Sequence, residues 1–192
     1  GAGPAGCAAA VQATRLGLRT RLLDETGEAG GLVRNARRIE NYPGLEPLSG
    51  IEMAARLGAH VGRFGLRVEK DRVTAVAQAG AASASELRES GVSGRLRISA
   101  DGGACGALCA ILAVGTRPQA ATIPGARELS GHLVFHEVRD LLLAIPAPRR
   151  VLVIGGGEAA LDYALTLADA GAGVAIVTRG RELKATGRLA AE

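Results

Sequence analysis

The chain has 192 residues, of which 47% are hydrophobic and 22% are charged, and its net charge is +4. This composition excludes a disordered tail, and 28 glycines without a Gly-X-Y period exclude collagen. The cations are spread along the sequence and aromatic residues make up 2% of it, which argues against a nucleic-acid-binding protein.

The first half of the chain contains alternating helical and strand-like patterns. Residues 5–16 are Ala-rich and end at Gly17, which predicts a helix with a glycine stop, and apolar residues recur at helical spacing over 51–64. The stretch 79–94, rich in Ala, Ser and Gly, has no period and is predicted to be a solvated loop. Strand-like segments are predicted over 19–24, 66–77, 95–100 and 105–114.

A change in composition marks the start of a second domain. Proline and glycine punctuate residues 115–125, and a continuous apolar strand follows over 151–154. A glycine turn, a helix ending near residue 170 and a strand over 174–178 complete a βαβ unit, which requires a parallel sheet. We expect an α/β protein with one domain over 1–117 and a second over 118–192.

Two glycine-rich turns, Gly1–Gly6 and Gly155–Ala160, have the spacing G-x-G-x-x-G/A that is typical of dinucleotide binding. The first glycine permits a tight turn, the second lets the backbone approach a pyrophosphate, and the third small residue lets helix and strand pack closely. The anion then lies against the N–H groups at the start of the helix. Each turn begins 23 positions before the end of the next predicted strand, which favours two mononucleotide-binding units over two chance turns.

The residues at the two strand ends predict different ligands. Asp24 is a carboxylate placed to accept hydrogen bonds from an adenosine ribose, which suits FAD or NAD. Thr178 stands at the equivalent place in the second unit, and Arg179, Arg181 and Lys184 follow it. A hydroxyl and three cations can bind a 2′-phosphate, which favours NADPH over NADH. The alternative is that these cations form a solvated face.

Membrane, disulfide and metal signals are weak in this sequence. The longest apolar stretch, 104–114, is far shorter than a membrane-spanning helix, and we expect a cytoplasmic protein without membrane association. Cys7, Cys105 and Cys109 form no Cys-x-x-Cys pair and are expected to pack as small apolar residues, with no metal site. Because the first glycine turn should follow a strand, we expect a fragment of a longer reading frame, with both domains incomplete.

Because it contains both glycine turns, the chain resembles the flavoproteins with two dinucleotide-binding domains. Within these it resembles the thioredoxin reductase-like group, which includes a class of ferredoxin–NADP reductases. Gly30-Gly31-Leu32 is similar to a segment near the flavin, and Glu40-Asn41-Tyr42-Pro43-Gly44 to a turn beside its ring. The resemblance implies two Rossmann-like FAD/NAD(P)-binding domains. It places the following residues at FAD: Gly1, Gly3, Pro4, Ala5, Gly6, Asp24, Glu25, Gly30, Gly31, Leu32, Asn41, Val73, Ala113, Val114 and Gly115.

The segment 155–164 resembles most closely the NADPH-site helix of the ferredoxin–NADP reductases. Arg179 and Lys184 fall at the positions that bind the phosphate in that family, and Arg181 lies nearby. The resemblance places the following residues at NADPH: Gly155, Gly156, Gly157, Glu158, Ala159, Thr178, Arg179 and Lys184.

The chain departs from thioredoxin reductases at their Cys-x-x-Cys-Asp segment. The simplest alignment puts residues 136–140 there, so that His136 and Arg139 replace the two sulfurs. Neither side chain can exchange with a disulfide, which disfavours thioredoxin reduction by that route. His136 is a candidate proton donor near the flavin, with a structural histidine as the alternative.

We therefore expect an FAD-dependent NAD(P)H oxidoreductase that passes electrons from NADPH through flavin to an external acceptor such as ferredoxin or flavodoxin. The +4 charge suits a small acidic carrier. Two alternatives stay open: a disulfide reductase with its cysteines outside this fragment, and a nucleotide-sensing module without turnover. The oligomeric state also stays open, with a homodimer as one alternative.

Overall fold

The structure, a computed structural model, describes residues 1–79, 95–119, 121–180 and 183. Packing groups the chain into two units, the first made of Gly1–Val33 with Glu52–Gly115 and the second of Arg34–Ile51 with Thr116–Glu192. In chain order the elements of the described residues are α1 (Pro4–Arg15), β1 (Leu22–Asp24), a 3-10 helix (Gly31–Asn35), α2 (Gly50–Arg63), β2 (Val68–Lys70), β3 (Val73–Gln78), β4 (Leu96–Ala100), β5 (Gly103–Ala107), α3 (Val138–Ala144), β6 (Arg150–Ile154), α4 (Glu158–Asp169) and β7 (Gly173–Val177).

The first unit places α1 beside a short parallel pair of strands. β1 and β2 pair in parallel, with Asp24 opposite Lys70. Pro4 begins α1, a position at which its missing N–H costs no helical hydrogen bond, and Gly17, with a φ of 78°, follows the end of the helix as expected. The buried residues that hold helix and strands together are Ala2, Cys7, Ala10, Leu22 and Val61.

A three-stranded antiparallel sheet, β3-β4-β5, completes the first unit. The predicted strand over 105–114 is wrong in its second half, because β5 ends at Ala107. Ala107 pairs with Leu96, the first residue of β4, so the ladder of hydrogen bonds stops there. Residues 108–119 have no regular secondary structure. The predicted loop over 79–94 lies outside the described residues except for Ala79.

The second unit contains the predicted βαβ unit. β6 and β7 pair in parallel from Arg150 opposite Gly173 to Ile154 opposite Val177, and α4 connects them. Alternate residues of β6 face the helix: Val151 and Val153 pack on the buried core of Val138, Leu167 and Ala172. This pattern places the glycine turn between the end of β6 and the start of α4.

Helix α3 is an element that the sequence analysis did not predict. It has only two turns, and its apolar residues Val138, Leu141 and Leu142 pack into the core of the second unit. A run of seven residues is too short for helical periodicity to stand out in the sequence. Among the described residues, no helix is long and apolar enough to cross a membrane.

Candidate dinucleotide-binding sites

The first glycine turn is packed so closely that two of its residues must be glycine. A Cβ placed on Gly6 would lie 1.8 Å from the carbonyl oxygen of Gly1, and one placed on Gly1 would lie 2.4 Å from the carbonyl oxygen of Ala113. The start of α1 therefore lies directly against the turn, and the turn lies against the segment that contains Ala113.

Gly3 differs from these two glycines because the fold itself does not require it. Its φ of −66° and ψ of 179° are accessible to any residue. The nearest described atom to a Cβ placed there would be the Gly30 carbonyl oxygen, at 4.0 Å. A Cβ at position 3, beside the N-terminus of α1, would therefore displace none of the described atoms. Open space at the second glycine of the pattern is the feature that a pyrophosphate needs.

Asp24 connects the end of β1 to the glycine turn. Its Oδ2 accepts the Ala2 N–H at 2.8 Å, and its Oδ1 accepts the N–H and the hydroxyl of Thr26 at 2.9 and 2.6 Å. Burial opposes ionisation, but these hydrogen bonds outweigh it, so that the pKa of Asp24 is lowered. The structure therefore holds a carboxylate, in its charged form, beside the backbone of the turn.

Other residues assigned to FAD lie around this turn. The N–H of Gly30 donates to the Ala2 carbonyl oxygen at 2.8 Å, and a Cβ on Gly31 would lie 3.3 Å from the Gly3 Cα. The structure thus brings the glycine pair of 30–31 and the segment at Ala113 to the first glycine turn.

The remaining assigned residues of the first unit are exposed or lie further along the chain. Leu32, Val73 and Val114 are 47%, 40% and 80% exposed, and Gly115 is exposed. The Glu25 carboxylate lies 4.0 Å from the Arg72 guanidinium, with both side chains about 60% exposed.

The second glycine turn joins β6 to α4. Gly155 has a φ of 145°, which only glycine adopts readily, and its N–H donates to the Val177 carbonyl oxygen at 2.9 Å. A Cβ on Gly156 would lie 3.2 Å from the Cβ of Thr178. The turn is therefore held against the end of β7, where Thr178 follows the strand.

Gly157 repeats the relationship seen at Gly3. Its φ of −87° and ψ of 177° are accessible to any residue, and a Cβ placed on it would meet no heavy atom of the described residues within 4 Å. Glu158 and Ala159, which follow it in the first turn of α4, are exposed. The second glycine of each pattern thus faces open space at a helix N-terminus.

The residues after β7 are only partly described. The Thr178 hydroxyl accepts the Gly180 N–H at 3.0 Å and donates to the Gly180 carbonyl oxygen at 2.9 Å, which fixes a tight turn. Arg179 lies inside this turn and is exposed. Arg181 and Lys184 lie outside the described residues.

The segment that replaces the dithiol contains a polar cluster that the sequence analysis missed. His136 and Arg139 are exposed, but Glu137 between them is half-buried. Its Oε2 accepts the Asn35 side-chain amide at 2.6 Å and also accepts a hydrogen bond from the Tyr163 hydroxyl. Burial and the neighbouring Glu137 carboxylate both raise the pKa of Tyr163, so the phenol stays protonated.

Asp162 is a second missed residue, and it is 9% exposed. Both of its carboxylate oxygens accept the Arg37 N–H, at 3.0 and 3.2 Å. The available signal was an acid between Leu161 and Ala164, which lie on the buried face of α4. Sequence spacing could not reveal this partner, which is 125 residues away.

The three cysteines of the chain all lie within the described ranges. Cys7, Cys105 and Cys109 are free, and Cys7 is buried with its thiol donating to the Ala2 carbonyl oxygen at 3.1 Å. Burial raises the pKa of Cys7, so a smaller fraction of this thiol is ionised at neutral pH. No group of three or more potential metal ligands occurs among the described residues.

Comparison with known proteins gives a consistent result. Residues 1–191 match the family described as Pyridine nucleotide-disulphide oxidoreductase. The chain is 31% identical over 192 residues to thioredoxin reductase of Bacillus subtilis, covering 100% of this chain and 56% of that protein. It is 33% identical over 202 residues to ferredoxin–NADP reductase 1 of Cupriavidus taiwanensis, and this match covers 100% of this chain and 54% of that protein. The chain spans about half the length of these curated relatives.

Solved structures agree with the sequence comparison. The crystal structure of Lactococcus lactis thioredoxin reductase in its FR conformation matches with a TM-score of 0.80 and 28% identity, covering 100% of this chain and 58% of that one. The crystal structure of T. acidophilum thioredoxin reductase matches with the same TM-score, 0.80, and 24% identity. The match covers 100% of this chain and 58% of that one, and it supports the fold alone.

Proposed function

Because the chain belongs to the pyridine nucleotide-disulphide oxidoreductase family, we propose that it carries the FAD-binding and NADPH-binding parts of an FAD-dependent oxidoreductase. The chemistry supplied by the bound cofactors is transfer of a hydride from NADPH to flavin, with electrons passed to an external acceptor. We assign 1–117 to FAD and 118–192 to NADPH. A cytoplasmic location is part of this proposal.

The observation that carries the proposal is the shared geometry of Gly3 and Gly157. Both have backbone angles open to any residue, and a Cβ on either would extend into open space at a helix N-terminus. Packing of the described residues therefore does not explain why glycine occupies these positions. A ligand that approaches the backbone does explain it, and a diphosphate satisfies the N–H groups and the positive dipole there.

In the first unit, the residues around the turn are suited to hold the adenosine diphosphate part of FAD. Asp24 is held ionised beside the turn, so that it can accept hydrogen bonds from ribose hydroxyls. Gly30 and Gly31 lie against Ala2 and Gly3, where they can close the turn around the diphosphate. These residues bind and orient a cofactor, and the proposed reaction requires no side-chain nucleophile.

In the second unit, the strand end supports NADPH in preference to NADH. Thr178 replaces the carboxylate found at Asp24 and fixes a turn that includes the exposed Arg179. A guanidinium at this place attracts a 2′-phosphate, which an acid would repel. Lys184 is assigned to the same phosphate from the sequence.

A ferredoxin- or flavodoxin-type carrier is the proposed electron acceptor. One curated relative is named ferredoxin–NADP reductase, and the second helix of this chain, 155–164, resembles that class. His136 and Arg139, at the positions aligned with the dithiol, cannot exchange with a disulfide. The net charge of +4 favours an acidic partner through electrostatic steering.

Anaerobic mixing of the intact, FAD-loaded protein with NADPH tests this proposal. We expect the flavin absorbance to bleach, and to return when oxidised ferredoxin is added. Bound NADPH without bleaching would reject hydride transfer and favour a nucleotide-sensing module.

Thioredoxin-type disulfide reduction is the second candidate, favoured by the names of the B. subtilis and L. lactis proteins. It requires a thiol pair outside this fragment, because His136 and Arg139 occupy the aligned positions and Cys105 and Cys109 form no Cys-x-x-Cys pair. NADPH-dependent reduction of a thioredoxin disulfide, faster than reduction of ferredoxin, would establish this candidate and reject the first.

A further inference from the structure

Residues 24–26 and 178–180 form two turns that share one hydrogen-bond pattern. Each turn begins where the strand after a glycine turn ends, 23 positions after the first glycine of that glycine turn. The Asp24 Oδ1 accepts the backbone N–H two residues later at 2.9 Å, and the Thr178 hydroxyl accepts the corresponding N–H at 3.0 Å. Turns closed by a side-chain oxygen in this way are typical of Asp and Thr. We call these two segments the strand-end turns.

The first residue of each strand-end turn also contacts the second residue of its glycine turn. Asp24 does so through its other oxygen, since Oδ2 accepts the Ala2 N–H at 2.8 Å. Thr178 lies against Gly156, the counterpart of Ala2 in the second glycine turn. A Cβ placed on Gly156 would lie 3.2 Å from the Thr178 Cβ and 3.4 Å from its Cγ2 methyl group. In the second unit, a side chain with a methyl group therefore stands where the first unit has a carboxylate.

The other two positions of the strand-end turns differ in charge and in size. Glu25 is the middle residue of the first turn and Arg179 that of the second, and both are exposed. The third residue of the first turn is Thr26, whose hydroxyl donates to the Asp24 Oδ1 at 2.6 Å. The third residue of the second turn is Gly180, which has no side chain. The first turn thus has two carboxylates, whereas the second has one guanidinium and more space, which favours an anionic group there.

The Thr178 hydroxyl is occupied within its own turn. It accepts the Gly180 N–H at 3.0 Å and donates to the Gly180 carbonyl oxygen at 2.9 Å. A hydroxyl has a single hydrogen to donate, and an ionised phosphate only accepts hydrogen bonds. While the turn is formed, this hydroxyl therefore has no hydrogen left for a phosphate. What it does is to hold the turn whose exposed middle residue is Arg179.

We propose that Thr178 is a positioning residue for nucleotide selectivity: its hydroxyl holds the turn that places Arg179 at the 2′-phosphate of NADPH, and it does not bind the phosphate itself. The inference rests on the proposed function, which assigns the second unit to NADPH. It differs from the direct phosphate contact that the sequence alone suggests. An acid at position 178 would form the same turn, as Asp24 does in the first unit, but its charge would repel the phosphate.

Hydrogen exchange at the Gly180 amide of the intact, nucleotide-free protein tests whether Thr178 holds the turn. Thr178→Val keeps the shape of the side chain and removes the hydroxyl, so we expect this amide to exchange about threefold faster or more, the factor for one lost hydrogen bond. Thr178→Ser and Thr178→Asp each keep an acceptor oxygen and should stay within about twofold of the wild type. Thr166→Val is the matched control, because that hydroxyl donates to a carbonyl oxygen within α4, and it should leave the Gly180 amide unchanged.

Calorimetric Kd values for NADP⁺ and NAD⁺, which differ only in the 2′-phosphate, test the role in selectivity. We expect Thr178→Val to weaken NADP⁺ binding about tenfold and NAD⁺ binding by less than about twofold, because the guanidinium of Arg179 is no longer held at the phosphate. Thr178→Ser and the Thr166→Val control should bind both nucleotides as the wild type does. Thr178→Asp should weaken NADP⁺ binding about a hundredfold although its turn is kept, because the new carboxylate repels the phosphate.

Each of several results would overturn the proposal. If Thr178→Val weakened NADP⁺ binding without faster exchange at Gly180, the hydroxyl would be a direct ligand of the phosphate and not a positioning group. Wild-type NADP⁺ affinity in Thr178→Val or in Thr178→Asp, or an equal loss of NADP⁺ and NAD⁺ affinity in Thr178→Val, would show that position 178 does not set selectivity. A wild type that bound neither nucleotide would reject the proposed function of the second unit itself, and the role in selectivity with it.

Discussion

The carboxylate of Asp24 accepts the backbone N–H of Ala2 at 2.8 Å, so the acid that ends β1 and the turn that begins α1 form one hydrogen-bonded group. The acid therefore fixes the turn, and in the proposed function it also presents negative charge to a ribose. Both roles require the ionised form, which the hydrogen bonds from Ala2 and Thr26 favour.

The stability that Asp24 contributes should depend on pH. Because its pKa in the folded protein lies below the ordinary value of 3.8, this contribution is present above that value and is lost as the pH falls through the folded pKa. We expect Asp24→Asn to be less stable than the wild type at neutral pH, and the difference to shrink in acid. Urea unfolding of both proteins between about pH 7 and pH 3 measures it. A difference that is constant over this range would contradict the account.

Alanine at two positions of the first turn, Gly6 and Gly3, should separate folding from binding. A Cβ at Gly6 collides with the Gly1 carbonyl oxygen, so Gly6→Ala should lower the free energy of unfolding by at least about 2 kcal/mol. A Cβ at Gly3 extends into open space, so Gly3→Ala should change it by less than about 1 kcal/mol. Chemical denaturation of the cofactor-free protein measures both values. Equal losses would show that the space in front of α1 is not open.

The Tyr163 hydroxyl should stabilise the second unit through Glu137. Tyr163→Phe leaves a half-buried carboxylate with one fewer donor, and we expect a loss of about 1–2 kcal/mol in the free energy of unfolding. Tyr42→Phe is the matched control, since Tyr42 is 40% exposed, and should change it by less than about 0.5 kcal/mol. An ultraviolet titration compares the tyrosine pKa values of the wild type and Tyr163→Phe. The tyrosine that is missing from the variant should be one whose pKa lies well above the ordinary value of 10. A Tyr163 pKa of about 10 would contradict the hydrogen bond from the Tyr163 hydroxyl to Glu137.

Charge reversal at the second strand end should discriminate between the two nicotinamide nucleotides. Replacing Arg179 and Lys184 by Glu is expected to weaken NADPH binding about a hundredfold and NADH binding by less than about fivefold, because only NADPH carries the 2′-phosphate. Fluorescence titration of the two nucleotides gives both constants. If both affinities fell equally, these cations would not contact the 2′ position.

Elements with strong local signals were predictable from the sequence. Residues 158–169 form a helix between two parallel strands, as the glycine turn and the apolar runs indicate, and Gly17 follows the end of α1. These features depend on residues close in sequence, where backbone preference and period act together.

Features that depend on distant partners were not predictable. The strand expected over 105–114 ends at Ala107 because β4, its partner, begins at Leu96. Asp162 accepts the N–H of Arg37, which no local pattern connects to α4. The glycine pattern predicted two turns, but only the coordinates distinguish Gly3, which faces open space, from Gly6, which cannot accept a side chain.

The measurement that tests the central claim most directly is a crossed binding experiment on the intact protein. The Kd values for FAD and NADP⁺ are determined by calorimetry for the wild type, Gly3→Ala and Gly157→Ala. We predict that Gly3→Ala weakens FAD binding at least about tenfold and leaves NADP⁺ binding unchanged, and that Gly157→Ala does the reverse. If either variant bound both ligands as tightly as the wild type, the corresponding turn would not hold a diphosphate, and the assignment of two separate dinucleotide sites would be wrong.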